Sequence, residues 1–366
     1  LYTHLEPSDY DNAQLFGWSL DMDGDVIVVG ARDDDIAEFS QAGSAYVFRY
    51  SPESGQWIEE QKFTAFEPGT YQLFGQSVAI DDDVIIVGAH GSGNMGLPGA
   101  AYVFRHDGKK WQPEQQLLAP DGGPGWWFGA QVHVKNGVAA VGALQANNKG
   151  AVYVFRFTDS KWQFEQKLVP DSLVGCCPFF GVGVELYADA TRVVASAGLD
   201  DAAGTDAGSA HIATYPPDAG WVFEPPIYSS TPLPNGFFGI RDVDGDTAFA
   251  DGQDGPGDTG QIHIIEGMLG LDCNNNGQAD ACDIFYGVSM DSDGDRVPDE
   301  CENPADINGD NMVGPGDLAE LLAQWGQCPP PDGAECSADI APAGGDDTVG
   351  VLDLAQLLAA WGDLSQ

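Results

Sequence analysis

A Phe-Gly pair recurs five times in register, at Phe16-Gly17, Phe74-Gly75, Phe128-Gly129, Phe180-Gly181 and Phe238-Gly239, a period of about 52 to 58 residues. A period of that size points to propellers and arrays, so most of the chain is one supersecondary unit used repeatedly. Each copy runs in the same order. In the second, the alternating Ser77-Val78-Ala79-Ile80 leads to the turn Asp81-Asp82-Asp83 and the apolar run Val84-Ile85-Ile86-Val87-Gly88-Ala89. A Gly-rich loop then reaches Gly99-Ala100-Ala101-Tyr102-Val103-Phe104, matched by Gly43 to Phe48 and Gly150 to Phe155; a last segment opens at Trp111, matched by Trp57, Trp162 and Trp221. Short β-branched and aromatic runs between Asp, Gly and Asn turns are antiparallel hairpin signals. Four such strands per unit, repeated radially, predict β-propeller blades.

The Phe-Gly opening, the Val-Gly-Ala close of the second strand and the Gly-x-x-Tyr-Val-Phe strand resemble the FG-GAP repeat family, the integrin-α-like propeller in its shorter bacterial form. The resemblance covers residues 1–266 and implies a mainly β fold with about five four-stranded blades. Copies four and five drift: Leu199 follows Gly198, the third strand becomes Gly208 to Ala213, and Asp251-Gly252 replaces Gly-Ala. Leu1 to Asp11 occupies the place of a fourth strand and its exit loop, and the last copy stops after its third strand, Gln261 to Glu266. Two readings stay open: the N-terminal strand completes the last blade and seals a ring, or a longer array or another domain precedes a truncated start.

Several motifs lose their functional reading in this context. Asp21-Met22-Asp23-Gly24-Asp25 and Asp242-Val243-Asp244-Gly245-Asp246 suggest integrin-type calcium loops, but the connection is too short, and two-residue Asp-Gly hairpins account for both. Gly91 to Gly96 and Gly255 to Gly260 both spell G-x-G-x-x-G, which binds pyrophosphate only where it opens a helix. Here each leads into a strand. His211 and His263 replace the Tyr of the third strand, and neither a Gly-x-Ser-x-Gly elbow nor a His-Glu-x-x-His appears, so no catalytic residue is assigned. The in-phase Trp57, Trp111, Trp162 and Trp221 read as core between blades. Trp126 and Trp127, adjacent in a Gly-Pro loop, read instead as a surface pair able to stack on sugar rings or a protein partner. Cys176-Cys177 fills the corresponding loop of the next copy.

Charge narrows the partners. The chain has 57 acidic against 14 basic residues, a formal charge of -43, which disfavours nucleic acid because phosphate binding needs clustered Lys and Arg. The acid is mostly Asp, 42 against 15 Glu, and Asp favours turns and hard-cation sites over helices. No run of 18 apolar residues is present, so no membrane span is expected. Residue 1 is Leu, as expected of a processed or incomplete chain. Five of the seven cysteines follow residue 270, a pattern that suits an oxidising compartment.

After residue 266 there are 20 acidic residues and one base, Arg296. Two segments align 19 apart: Asp272, Asn274, Asn276 and Asp280 in the first, Asp291, Asp293, Asp295 and Asp299 in the second. Oxygen side chains at alternate positions of an Asx-rich turn converge on one point, as Ca2+ requires, while the cysteines flank the ligand positions rather than fill them. This stretch, 267–303, resembles thrombospondin type 3 calcium repeats; Arg296 stands where the first copy has Gly277. Residues 304–366 follow a different plan. Asp306, Asn308, Asp310 and Asp317 fall at positions 1, 3, 5 and 12 of a loop, with the Met312 carbonyl expected at position 7. The loop leads into Leu318, Leu321, Leu322 and Trp325, one helical apolar face, and 36 residues after Asp317 the pattern returns as Asp353 followed by Leu354, Leu357, Leu358 and Trp361. Gly326 and Gly362 are the expected helix ends.

This region resembles a type I dockerin, which implies paired calcium loops and a cohesin-like partner. The second loop, with Asp339, Asp346 and Asp353 as ligands, carries an insertion. The pairs before position 12, Pro315-Gly316 and Val351-Leu352, differ between copies, so neither a symmetric dual binding mode nor cellulosome membership is implied. Cys328 and Cys336 bracket the interhelix loop as the first disulfide candidate, followed by Cys282 with Cys301 or Cys273.

Together these features predict a secreted or cell-surface calcium-binding interaction protein that is not itself an enzyme. Its propeller would bind an extracellular protein or glycan, and its tail would dock to a partner. The alternative is an accessory or fragment of an extracellular polysaccharide-degrading enzyme. A halophilic surface with vestigial calcium sites is a third reading, disfavoured by the alternate spacing of the tail carboxylates.

Overall fold

A computed structural model of the chain describes residues 4–9, 15–91, 99–175, 177–187, 190–215, 220–229, 237–244, 247–254 and 259–266, together with 318–319, 321–322, 326–327, 348–349, 354 and 357–358. The chain divides into two compact units, Leu1–Met268 and Leu269–Gln366. In the first, every repeat is an antiparallel meander of the propeller-blade type. Blade 1 is β1 (Phe16–Asp23), β2 (Val26–Ala31), β3 (Ser44–Ser51) and β4 (Gln56–Phe63). Blade 2 is β5 (Phe74–Asp81), β6 (Val84–Ala89), β7 (Ala100–His106) and β8 (Trp111–Leu117), and blade 3 is β9 (Phe128–Lys135), β10 (Val138–Ala143), β11 (Ala151–Thr158) and β12 (Lys161–Leu168). Blade 4 comprises β13 (Phe180–Leu186), β14 (Arg192–Ala197), β15 (Ser209–Thr214) and a short β16 (Val222–Phe223). The fifth sheet has three strands, β17 (Gly239–Asp244), β18 (Thr247–Asp254) and β19 (Thr259–Glu266), the number expected for the last copy.

Packing between blades explains the apolar pattern. Val28, Val47 and Phe63 of blade 1 pack on Ile85, Val87 and Phe104 of blade 2, and equivalent clusters join blade 2 to 3 and blade 3 to 4. Each such buried side chain contributes about 1.5–3 kcal/mol. Trp111, Trp162 and Trp221 are buried in these seams, as the phase-locked tryptophans were expected to be; Trp57 is half-buried. Leu20 and Met22 hold the positions that Val78 and Ile80 bury against the preceding blade, yet they are 69% and 59% exposed; elsewhere on that face of blade 1, Leu5 packs against Val29, Ala31, Tyr46 and Phe48.

The repeat motif is a device for close approach. Gly75 adopts φ +88°, and a methyl group built on it would overlap the Ser44 carbonyl; one on Gly30 would overlap the Gly75 carbonyl, and one on Gly43 the Phe74 carbonyl. The Gly of the Val-Gly-Ala run, the Gly opening the third strand and the Phe-Gly of the next copy therefore meet at one blade junction, where only hydrogen fits. This contact lets Phe74 N–H reach the Ala42 carbonyl at 2.9 Å, and Phe180 N–H the Lys149 carbonyl at 3.0 Å. The residue before each Phe-Gly is also left-handed: Leu15, Leu73, Trp127, Phe179 and Phe237 have φ between +51° and +60°. A bulky residue there costs about 1–2 kcal/mol, so its fivefold recurrence marks a turn that the frame enforces.

Side-chain clasps complete the frame. Asp21 Oδ2 accepts Ile80 N–H and Asp23 Oδ2 accepts Asp82 N–H, both at 2.7 Å, and Asp81 Oδ2 accepts Asn136 N–H at 2.7 Å. The Asp-x-Asp-Gly-Asp run of blade 1 is thus a hairpin whose carboxylates bind the next blade, in agreement with the hairpin reading. At the outer edge a glutamine grips the backbone of the following tryptophan with both amide atoms: Gln61 holds Trp111 (3.1 and 3.2 Å), Gln115 holds Trp162 (2.7 and 2.9 Å) and Gln166 holds Trp221 (3.0 and 2.9 Å).

The N-terminal segment keeps the expected exit-loop register. Asp9 accepts Tyr46 O–H at 2.8 Å and pairs with Lys62 at 2.5 Å, as Asp121 does with Tyr153 and Lys167, each at 2.8 Å. Residues 4–7 form no strand, and residues 1–3 lie outside the described residues. In the second unit Leu318, Ala319, Leu321 and Leu322 are helical, as are Leu354, Leu357 and Leu358. Leu321 and Leu357 are fully buried, whereas Leu322 and Leu358 are more than half exposed, so the apolar face is narrower than its spacing suggests. Gly326–Gln327 pairs antiparallel with Thr348–Val349.

Candidate functional site

The lead-in to blade 3 departs from the others. In blade 2 the residue two before the Phe-Gly pair is Gln72, which folds onto its own loop: its Oε1 accepts Gly69 N–H at 2.8 Å and its Nε2 donates to the Glu67 carbonyl at 3.0 Å. In blade 3 that position is Trp126. Its carbonyl accepts Gln145 N–H at 3.1 Å, the same tie to the loop after the second strand that Gln72 makes with Gly91 and Pro178 with Leu199; what changes is the side chain. That loop, residues 144–150, is shorter than its counterparts at 32–43, 90–99 and 198–208. It closes through a 3-10 turn, Ala146–Asn148, in which Asn147 and Asn148 take left-handed φ of +51° and +64°.

The result is an open cavity of about 550 Å³. Pro124, Gly125 and the two indoles line it together with Gln145, Asn147 and Asn148. Lys167 Nζ lies 4.8 Å from the centre of the Trp126 ring while pairing with Asp121, so its charge is neutralised and the cavity lining itself is uncharged. Trp127 is set deeper, edge-on to His90 at 5.8 Å and stacked on Phe179 at 6.4 Å, and joins three successive blades. Both tryptophans line the cavity; Trp127 also bridges His90 and Phe179, and Trp126 also packs against the core between blades 2 and 3. Gln145, Asn147, Asn148 and Lys167 escaped the sequence reading, although the shortened loop and its Asn-Asn pair are visible there.

Two other polar clusters lie in the same unit. Ser209 Oγ donates to Asp200 Oδ2 at 2.6 Å, and His211 Nε2 lies 2.8 Å from the same Oγ. Since the single hydroxyl proton goes to the carboxylate, His211 must donate through Nε2, and the imidazole is neutral; burial pulls its pKa down to about 4. Serine, histidine and aspartate are all fully buried, and the serine proton is committed to Asp200 rather than to histidine, so this is a clamp and not a nucleophile. The other is a hollow of about 690 Å³ framed by the first strands of four blades. There His133 Nε2 pairs with Glu185 at 2.8 Å and its Nδ1 accepts Leu186 N–H at 3.3 Å. Burial works against the imidazolium, but the charges of Glu185 and Asp21 prevail and raise its pKa. Its two nitrogens are engaged in joining β9 to β13.

Every expected calcium ligand, from Asp272 through Asp353, lies outside the described residues, as do Cys176 and the five cysteines after residue 270. Among the described residues no helix is long and apolar enough to cross a membrane.

Residues 2–48, 57–104 and 111–155 match the profile of a family described as FG-GAP repeat. The match falls on the first three blades and supports a propeller-type repeat there. No curated protein matches the chain. Among solved structures it is similar to a periplasmic gluconolactonase from Pseudomonas aeruginosa, at 14% identity over 68% of this chain and 84% of that one, with a TM-score of 0.32. A Bacteroides fragilis protein named for 6-phosphogluconolactonase activity is 11% identical over 68% and 84%, with a TM-score of 0.36. A Lactobacillus plantarum protein is 13% identical over 66% of each chain, with a TM-score of 0.41. Likeness at this level carries neither an activity nor a topology over to this chain.

Proposed function

We propose that this chain is an extracellular or cell-surface calcium-binding interaction protein. Residues 1–266 present a binding surface for a protein or glycan, 267–303 form a calcium-stiffened linker, and 304–366 form a dockerin-like module that docks to a cohesin-like partner. The observation that carries the binding role is the open, uncharged aromatic cavity at Trp126, held on blades that are clasped to one another. Calcium rests on the sequence pattern of the tail: alternate oxygen ligands need a divalent ion to offset their mutual repulsion. A second reading, an accessory or piece of a polysaccharide-degrading enzyme, draws on the dockerin-like spacing and shares the same surface.

The test is limited proteolysis of the full chain with calcium or with chelator. Calcium should protect residues 272–362 from cleavage and leave the digestion of residues 15–215 unchanged. Identical digestion of the tail under both conditions would remove calcium from the account.

A further inference from the structure

From the same cavity, and resting on the binding role just proposed, we infer that the propeller's ligand is a neutral glycan, with one sugar ring seated against Trp126. The chemistry of the lining selects this class. An indole offers a flat apolar face to the C–H side of a sugar ring, and carboxamides supply both donors and acceptors to vicinal hydroxyls. Gln145, Asn147 and Asn148 place three carboxamide residues in the same lining as the two indoles. The left-handed backbone at both asparagines fixes their position in a tight turn and not on a mobile loop.

Size and charge agree. About 550 Å³ lies within the range of small-ligand cavities and holds one or two sugar rings. The chain as a whole carries -43, yet no carboxylate lines this cavity, and the nearby Lys167 is already paired with Asp121. An anionic sugar would meet the repulsion of the whole molecule with no cation among the described residues of the lining to receive it. The feature also differs between blades 2 and 3: the equivalent lead-in of blade 2 is closed by Gln72. A flat protein partner would gain little from a recess walled by amides, whereas a sugar ring fills it.

The experiment is a titration of the full chain with cellohexaose, mannohexaose and xylohexaose, and with tri-galacturonate as the charged comparison, read by tryptophan fluorescence and calorimetry. At least one neutral hexasaccharide should bind, and tri-galacturonate at least tenfold more weakly. Trp126→Ala should weaken that binding at least tenfold, and Asn148→Gly, which keeps the left-handed backbone and removes only the amide, at least threefold. Both variants should keep the circular dichroism of the parent, which separates lost binding from lost fold. Failure of all three neutral sugars, or binding that ignores both substitutions, would overturn the inference. If no sugar binds but a purified protein partner is lost on Trp126→Ala, the glycan falls while the binding role stands; if Trp126 matters to neither, both fall.

Discussion

Blades 2 and 3 are built on the same frame and end in different rims. Both begin with a left-handed residue, Leu73 or Trp127, followed by Phe-Gly, and both bury Phe74 or Phe128 completely or nearly so. Both are held by a glutamine that grips the tryptophan of the next blade. At the position before the left-handed residue they part: Gln72 spends its amide on its own loop, and Trp126 leaves its ring at a cavity. The difference teaches that the junction residues answer to stability, whereas the residue two before Phe-Gly and the loop opposite it are free to answer to a ligand. A functional site in such a repeat is found where copies differ at a rim, not where they agree.

The largest effect should come from breaking what the two blades share. Gly129 has φ +89°, and a methyl group there would overlap the Ala100 carbonyl. Gly129→Ala should cost about 3 kcal/mol, combining left-handed strain with the forced parting of two blades. Calorimetry would register this as a fall in Tm of roughly 6–12 °C. A variant as stable as the parent would show that the junction does not hold the frame.

Blade 4 extends the comparison to a frame that titrates. In blade 1 the buried Asp34 receives Ser44 O–H at 2.6 Å and pairs with Lys62 at 2.8 Å, and Tyr46 stands beside it, its pKa pushed up to about 12 by burial. Blade 4 repeats the turn with Asp200 and Ser209 but puts His211 in the place of Tyr46. Its folded pKa of about 4 lies below the ordinary value of 6.5, so the unfolded chain binds the extra proton. The stability it contributes is full above pH 6.5 and is lost as pH falls towards 4, a total of about 3 kcal/mol. His90, also pulled down to about 4 by burial, adds a similar slope. His211→Phe should therefore remove about half of the loss in Tm between pH 6.5 and 5; an unchanged slope would place the acid sensitivity elsewhere.

The smallest effect should come from the rim of blade 2. Gln72→Ala deletes two hydrogen bonds at a half-exposed site and should lower stability by about 0.5–1 kcal/mol. It should leave sugar binding unchanged, the mirror of Trp126→Ala. Loss of binding in Gln72→Ala would erase the distinction between the two rims.

Much of the frame was legible in the sequence because it is local and periodic. The Phe-Gly phase placed every first strand, the Asp-Gly and Asn-Gly turns placed the hairpins, and the in-phase Trp111, Trp162 and Trp221 were rightly assigned to the core. What escaped was contact between copies. Nothing in Asp21 or Gln61 announces a partner some fifty residues away at Ile80 or Trp111, since each residue reads locally as turn or surface polarity until the blades are stacked. The site was half legible for the same reason. The adjacent indoles stood out, but the sequence could not tell that Trp127 would be clamped between His90 and Phe179, or that both would share a cavity with Gln145, Asn147 and Asn148.

The most direct test of the difference between the two rims is calorimetric titration of the full chain, of Trp126→Ala and of Gln72→Ala with the three neutral hexasaccharides. Binding by the parent and by Gln72→Ala, weakened at least tenfold in Trp126→Ala at unchanged Tm, is the predicted result. Equal affinities in all three proteins, or no binding in any, would contradict it.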